Sequence, residues 1–137
     1  MASRQLNDLL PKVEQAARKA LVECQQAGID ILVTCTYRSG EEQEGLYAQG
    51  RTKPGKKVTN ARAGQSFHQY RVALDIVPMV GGKPEWSGTH RHWREAAQIF
   101  IRNGFEWAGN WKRFRELPHF QMTGGHPLSY FQSGGKL

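Results

Sequence analysis

Leu10, Val13, Ala17, Ala20, Leu21, Cys24 and Ala27 recur every three or four positions. That period predicts an amphipathic helix from about Asn7 to Ala27, ended by Gly28 just beyond it. Ile29 to Thr36 is apolar and β-branched, the composition of a buried strand, and it delivers Tyr37 and Arg38 to its far end. Ser39 followed by Glu42 is a capping-box pair, which predicts a short helix from Gly40 to Ala48 that stops at Gly50. From Gly50 to Gln65 the period disappears, and Lys53-Pro54-Gly55-Lys56-Lys57 and Ala63-Gly64 mark a loop. Val72 to Val77 reads as a strand, Val80-Gly81-Gly82-Lys83 as a turn, and Thr89 as the cap of a helix through Trp93, Ala96, Ala97, Phe100 and Ile101 to Asn103-Gly104. Short strands at Phe105–Trp107 and His119–Met122 complete the sheet, and the Gly-, Pro- and Ser-containing tail from Thr123 is expected to be irregular.

Against this pattern two stretches stand out, Ser66 to Asp75 and Glu116 to His119. Asp75 lies inside an apolar strand, where an unpaired carboxylate costs several kcal/mol, and a metal would relieve that cost. Catalytic zinc takes three protein ligands and keeps one position open for water. His68, Asp75 and His119 would fill the three, with Glu116 facing the open one. Ligand atoms on one tetrahedral zinc lie on the order of 3–3.5 Å apart, whereas seven residues of strand run roughly 23 Å. The chain must therefore turn between His68 and Asp75, at Gln69-Tyr70-Arg71. Pro118 excludes a helical turn from Glu116 to His119, so His119 opens a strand and Glu116 precedes it on a loop. His90, His92 and His126 lack a matching carboxylate pattern and read as ordinary surface or core residues.

The remaining composition narrows the classes. The 137 residues, 39% hydrophobic and 23% charged, fit a single domain spanning 1–137. No apolar run approaches the roughly 20 residues needed to cross a bilayer, so no membrane insertion is expected. Met1-Ala2-Ser3-Arg4-Gln5 lacks a secretory signal pattern, so the chain is expected to be made in the cytoplasm. Cys24 and Cys35 fit neither a Cys-x-x-Cys ligand pair nor a disulfide framework and read as buried free thiols. A net charge of +7 calls for an anionic partner. The basic residues are dispersed, dense only at Lys56-Lys57 and Lys112-Arg113-Phe114-Arg115, and no nucleic-acid-binding signature accompanies them. Nucleic acid is therefore supported by charge alone, while the bacterial cell wall is anionic too.

The pattern Ser66-x-His68-x-x-x-x-Ala73-x-Asp75 followed by Glu116-x-x-His119 resembles the signature of the zinc DD-peptidase superfamily. That superfamily includes D-Ala-D-Ala carboxypeptidases, vancomycin-resistance dipeptidases and L-alanyl-D-glutamate peptidases. Tyr37-Arg38-Ser39 with Glu42-Gln43, Leu46 to Thr52, Gly104-Phe105-Glu106-Trp107 and Pro118-His119-Phe120-Gln121 resemble the L-alanyl-D-glutamate branch, found in phage endolysins and some autolysins. The resemblance implies an α+β fold, a small antiparallel sheet with flanking helices like the hedgehog and DD-peptidase domains. It implies zinc as cofactor, the peptidoglycan stem peptide as substrate, action on the cell wall after release, Glu116 as general base and Arg38 as the group that polarises the scissile carbonyl; a monomer is expected. Ser66, Gln43 and Trp107 are the accompanying substrate-binding or ligand-orienting positions. A D-Ala–D-Ala specificity and a non-catalytic, zinc-containing wall-binding domain remain the alternatives. One position departs from the family pattern, which has Gly where this chain has Arg71. The turn there either uses an ordinary backbone conformation or carries strain.

Overall fold

The computed structural model describes residues 2–113 and 115–137. Met1 and Phe114, each part of a stretch named above, lie outside the described residues. The first helix, α1, spans Pro11–Gln26 and begins later than its apolar period does. Proline occupies the first turn, where its missing N–H would have had no intrahelical partner. Leu6–Asp8 forms a separate 3₁₀ turn, and Leu10 between them is extended, donating its N–H to Arg71 O at 3.0 Å. The expected start at Asn7 is corrected accordingly: periodicity of side chains does not register a break in the backbone. Val13, Ala17, Ala20 and Cys24 line the buried face of α1.

Next come β1 (Asp30–Cys35) and α2 (Gly40–Ala48), the latter with both reciprocal bonds of the Ser39/Glu42 capping box. β2 (Ala73–Val80) turns through Gly81 and Gly82, with φ of 60° and 77°, into the short β3 (Lys83–Pro84). Two successive positive φ values are what a two-residue hairpin requires. α3 (Arg91–Arg102), β4 (Glu106–Trp107), β5 (His119–Gln121) and α4 (Leu128–Gln132) complete the chain. Two further expectations are corrected here. The side chain capping α3 is His90, whose Nδ1 accepts from His92 N at 3.1 Å, because Thr89 Oγ1 is engaged with Ser87 Oγ at 2.8 Å. The tail contains α4, which buries Phe131 edge-on against Phe67 with ring centroids 5.8 Å apart.

The sheet runs β1-β2-β5-β4, with β3 added to β2, and every pairing is antiparallel. Side chains alternate across it, and this alternation separates core from site. Leu74 and Ile76 of β2 and Phe120 of β5 join the core with α1 and α3, where Phe120 meets Phe100 at 4.9 Å. Full burial of each such side chain contributes about 1.5–3 kcal/mol. Asp75, His119 and Gln121 occupy the alternate positions and so project from the opposite face. Cys24 and Cys35 are buried free thiols, and burial pushes Cys24 up to about 11. Among the described residues no helix is long and apolar enough to cross a membrane.

Arg71 resolves the question its sequence raised, since it adopts the left-handed conformation at φ 62°, ψ 30°. Its guanidinium donates to Asp8 O at 2.8 Å and lies over the Tyr37 ring at 4.0 Å. Arg71→Ala and Arg71→Gly both lose these contacts, but only glycine relieves the backbone. Arg71→Ala is therefore expected to be less stable than Arg71→Gly by about 1–2 kcal/mol, read from denaturant unfolding of the two variants. Equal stabilities would mean that the position carries no backbone strain.

Candidate active site

The turn that brings His68 toward Asp75 is a single turn of 3₁₀ helix, Phe67–Tyr70. Ser66 caps it, its Oγ accepting from His68 N at 3.3 Å while its own N–H donates to Gln69 Oε1 at 3.1 Å. Arg71 ends it, and β2 then carries Asp75 back beneath His68. Across the sheet Asp75 is flanked on one side by Cys35 of β1 and on the other by His119 of β5.

The three expected ligands meet at one atom. Asp75 Oδ1 lies 3.2 Å from His68 Nε2 and 3.2 Å from His119 Nδ1. Both imidazoles are nearly out of solvent, with side-chain exposures of 3% and 10%. Their other nitrogens are engaged: His68 Nδ1 with Thr36 O at 2.7 Å, and His119 Nε2 with Gln121 Oε1 at 2.9 Å. Each ring thus turns one nitrogen to a hydrogen-bond acceptor and the other to the carboxylate, the orientation found in metal-binding histidines.

Cys35 competes for membership of this group, since possible ligand atoms of Cys35, His68 and Asp75 all lie within 4.8 Å of one another. His119 joins through Asp75. Geometry favours His119 over Cys35. The Cys35 sulfur is 3.7 Å from His68 Nδ1, the nitrogen committed to Thr36 O, and it also receives Arg38 Nη2 at 3.5 Å. His119 presents its nitrogen directly to the shared carboxylate oxygen.

Burial works against charge on His68, yet its hydrogen bond to Asp75, with smaller help from Cys35, raises it to about 10 in the metal-free protein. Burial likewise opposes charge on Asp75, but the hydrogen bonds from His119 and His68 hold it well below the usual carboxylate range. A raised histidine contributes stability that is complete below its unfolded value of about 6.5 and is lost as pH climbs toward the folded one. The depressed carboxylate contributes above about 4 and is lost only in stronger acid. The metal-free protein is therefore expected to lose thermal stability steadily between about pH 6.5 and 10, followed by calorimetry. A melting temperature that stays flat over that window would contradict the ion pair.

Arg38 follows β1 and extends its guanidinium to 3.8 Å from Asp75 Oδ2, the oxygen not used by the imidazoles. Gln43, fully buried on α2, accepts from Arg38 Nη1 at 2.8 Å and donates to Ala61 O at 2.8 Å. It therefore aims Arg38 and ties down the 50–65 loop at once. That loop is further held by Arg51 on Thr59 O (3.1 Å), by Glu44 on Arg62 (2.7 Å) and by Tyr70 on Gly64 O (2.7 Å). The result is a fixed wall rather than an untethered flap.

A cleft of about 1000 Å³ lies over the cluster. Val58 to Ala61 form one wall, Trp111, Arg115 and Glu116 the other, and Arg38, His68, Asp75 and His119 the floor. Glu116 is exposed, and its carbonyl accepts from His119 N at 3.3 Å. Trp107 is not part of the lining. Its indole N–H donates to Leu117 O at 2.8 Å and its ring stacks on Phe120, bracing the Glu116–His119 segment from behind. Trp111, tilted over His119 at 5.8 Å, is the indole that reaches the cleft. Thr36 and Gln121 escaped the sequence reading. A backbone carbonyl leaves no trace in sequence, but His119-x-Gln121 at strand spacing places both side chains on one face and was available as a signal.

Comparison with known proteins finds peptidoglycan peptidases among the relatives of this chain. Residues 59–122 match the family described as D-alanyl-D-alanine carboxypeptidase. The peptidoglycan L-alanyl-D-glutamate endopeptidase CwlK of Bacillus subtilis is 40% identical over 124 residues, which are 85% of this chain and 74% of the relative. The L-alanyl-D-glutamate peptidase of Listeria phage A118 is 30% identical over 122 residues, 86% of this chain but 39% of that longer protein. The crystal structure of the L-Ala D-Glu endopeptidase ChiX of Serratia marcescens shares the fold with a TM-score of 0.67 at 23% identity, covering 90% of this chain and 89% of that one. With 40% identity to the Bacillus endopeptidase across most of both chains, the chain belongs to the zinc DD-peptidase superfamily, in its L-alanyl-D-glutamate peptidase branch.

Proposed function

We propose that this chain is a zinc-dependent peptidase that hydrolyses the L-Ala–D-Glu bond of peptidoglycan stem peptides, with His68, Asp75 and His119 as the metal ligands. The observation that carries the reading is the approach of two imidazole nitrogens to one carboxylate oxygen, each at 3.2 Å, on the floor of an open cleft. The donor set fits the metal, because zinc binds imidazole nitrogen and carboxylate oxygen at about 2.0–2.2 Å in a tetrahedron whose ligand atoms stand about 3–3.5 Å apart. Bound there, zinc supplies a Lewis acid and brings the pKa of water to about 7.

The side chains do the rest. Glu116, exposed on the cleft wall, takes a proton from the attacking water and returns it to the departing amine. Arg38 donates to the oxyanion that develops on the scissile carbonyl, an interaction of a kind worth about 3–4 kcal/mol. Gln43 keeps that guanidinium aimed, and Ser66 holds the turn that presents His68. Trp107 steadies the segment between Glu116 and His119. The choice of bond rests on likeness to the Bacillus and Listeria phage L-alanyl-D-glutamate enzymes, and the phage relative supports an endolysin acting on the cell wall.

Mass spectrometry of purified peptidoglycan digested by the zinc-loaded protein tests the reading. New termini at L-Ala and D-Glu are expected. Release of D-Ala would reassign the bond to the sister specificity, and an undigested wall would point to a binding domain.

A further inference from the structure

Given the ligand set just proposed, the two histidines are oriented by unlike partners. His68 Nδ1 meets Thr36 O, a backbone carbonyl that can only accept and cannot turn round. His119 Nε2 meets the side-chain amide of Gln121, which can present either an oxygen or an NH₂ group. Flipped, Gln121 would offer hydrogens to Nε2 and favour the tautomer protonated at Nδ1, the nitrogen that faces Asp75. Such a ring cannot bind a metal there without losing that proton.

One residue prevents the flip. Glu106 is the cross-strand neighbour of Gln121 in the β4–β5 pair. Its Oε2 accepts from Gln121 Nε2 at 3.2 Å, and its Oε1 accepts from Thr123 Oγ1 at 3.2 Å. An ionised carboxylate only accepts, so the NH₂ group of Gln121 must be the end that faces it. The Gln121 oxygen then faces His119 and holds a proton on Nε2, which leaves Nδ1 as the nitrogen whose lone pair a metal would take. Gln121 is 5% exposed, so water has little access to its amide, which Glu106 reaches from an exposed position on β4.

We propose that Glu106 is a positioning residue for the metal, acting through Gln121 to set the tautomer of His119. It touches neither metal nor substrate in this account. Its influence passes along the carboxylate–amide–imidazole chain, and Thr123 steadies the carboxylate.

The test uses the full chain and zinc itself, with affinity measured by competition against a chelating dye. Glu106→Leu removes the acceptor that fixes Gln121 and is expected to weaken zinc binding by up to about 10-fold, the lower end of the range for direct partners of metal-binding histidines, because Glu106 acts one step further out. Glu106→Gln, which again offers an oxygen, is expected to recover most of that loss. In the zinc-loaded wild type, nitrogen-15 spectra of the imidazoles should show His119 bound through Nδ1 and protonated at Nε2, with His68 the reverse. If Glu106→Leu fails to fold, the same affinity measurement on Glu106→Ala replaces it, and the wild-type spectra still decide whether His119 binds through Nδ1. Unchanged affinity in folded Glu106→Leu, or His119 bound through Nε2, would overturn the relay while leaving the peptidase reading intact. Failure of the wild type to take up zinc would overturn both, and zinc uptake without peptide cleavage would overturn the peptidase reading alone.

Discussion

Glu116→Ala is expected to lower turnover of a stem-peptide substrate by about 100- to 10,000-fold, the range that a positioned general base contributes, while zinc affinity stays within a few-fold of wild type. The separation of the two effects follows from placement. Glu116 lines the cleft wall and is exposed, and no hydrogen bond ties its carboxylate to His68, Asp75 or His119 among the described residues. Its contact with the ligand group is through its backbone carbonyl, which accepts from His119 N and survives the substitution. Steady-state kinetics and a zinc competition assay on the same preparation check both halves. Turnover near wild type would remove Glu116 from the chemistry, and a large loss of zinc would make it a ligand.

Asp75→Asn should do the converse and abolish zinc retention, with activity lost as a consequence. The substitution keeps the shape of the side chain but removes the charge that both imidazoles and Arg38 face. Loss of a direct ligand should exceed the roughly 10- to 100-fold cost of losing an outer partner of a ligand. In the metal-free protein the same change removes the carboxylate that raises His68, so the decline in stability between about pH 6.5 and 10 should disappear. Dialysis against chelator, metal analysis and calorimetry across that window give the readings. Zinc retained at wild-type affinity would exclude Asp75 as a ligand.

These effects are concentrated in residues whose spacing was informative in the sequence. A carboxylate inside an apolar strand demanded a partner, and His68 seven residues earlier required a turn, which the Phe67–Tyr70 helix and the left-handed Arg71 supply. The Ser39/Glu42 box marked α2 correctly because capping depends on two local side chains. Other parts depend on contacts that no local pattern records. The five residues of α4 are too few to show a helical period, and what holds them is Phe131 in a core built from distant segments. Trp107 and Trp111 look equivalent in sequence, but Trp107 pairs with Phe120 and Leu117 while Trp111 reaches His119 and the cleft. Cys35 reads as a packing residue and is one, yet the β1–β2 register places it beside Asp75 at the edge of the ligand group.

Titration of the metal-free protein with zinc, while hydrolysis of a stem peptide is followed, tests the central claim most directly. Activity should be absent at the start, rise in proportion to added zinc and level off at one equivalent per chain. Hydrolysis by the metal-free protein, or zinc uptake that leaves activity unchanged, would contradict the account.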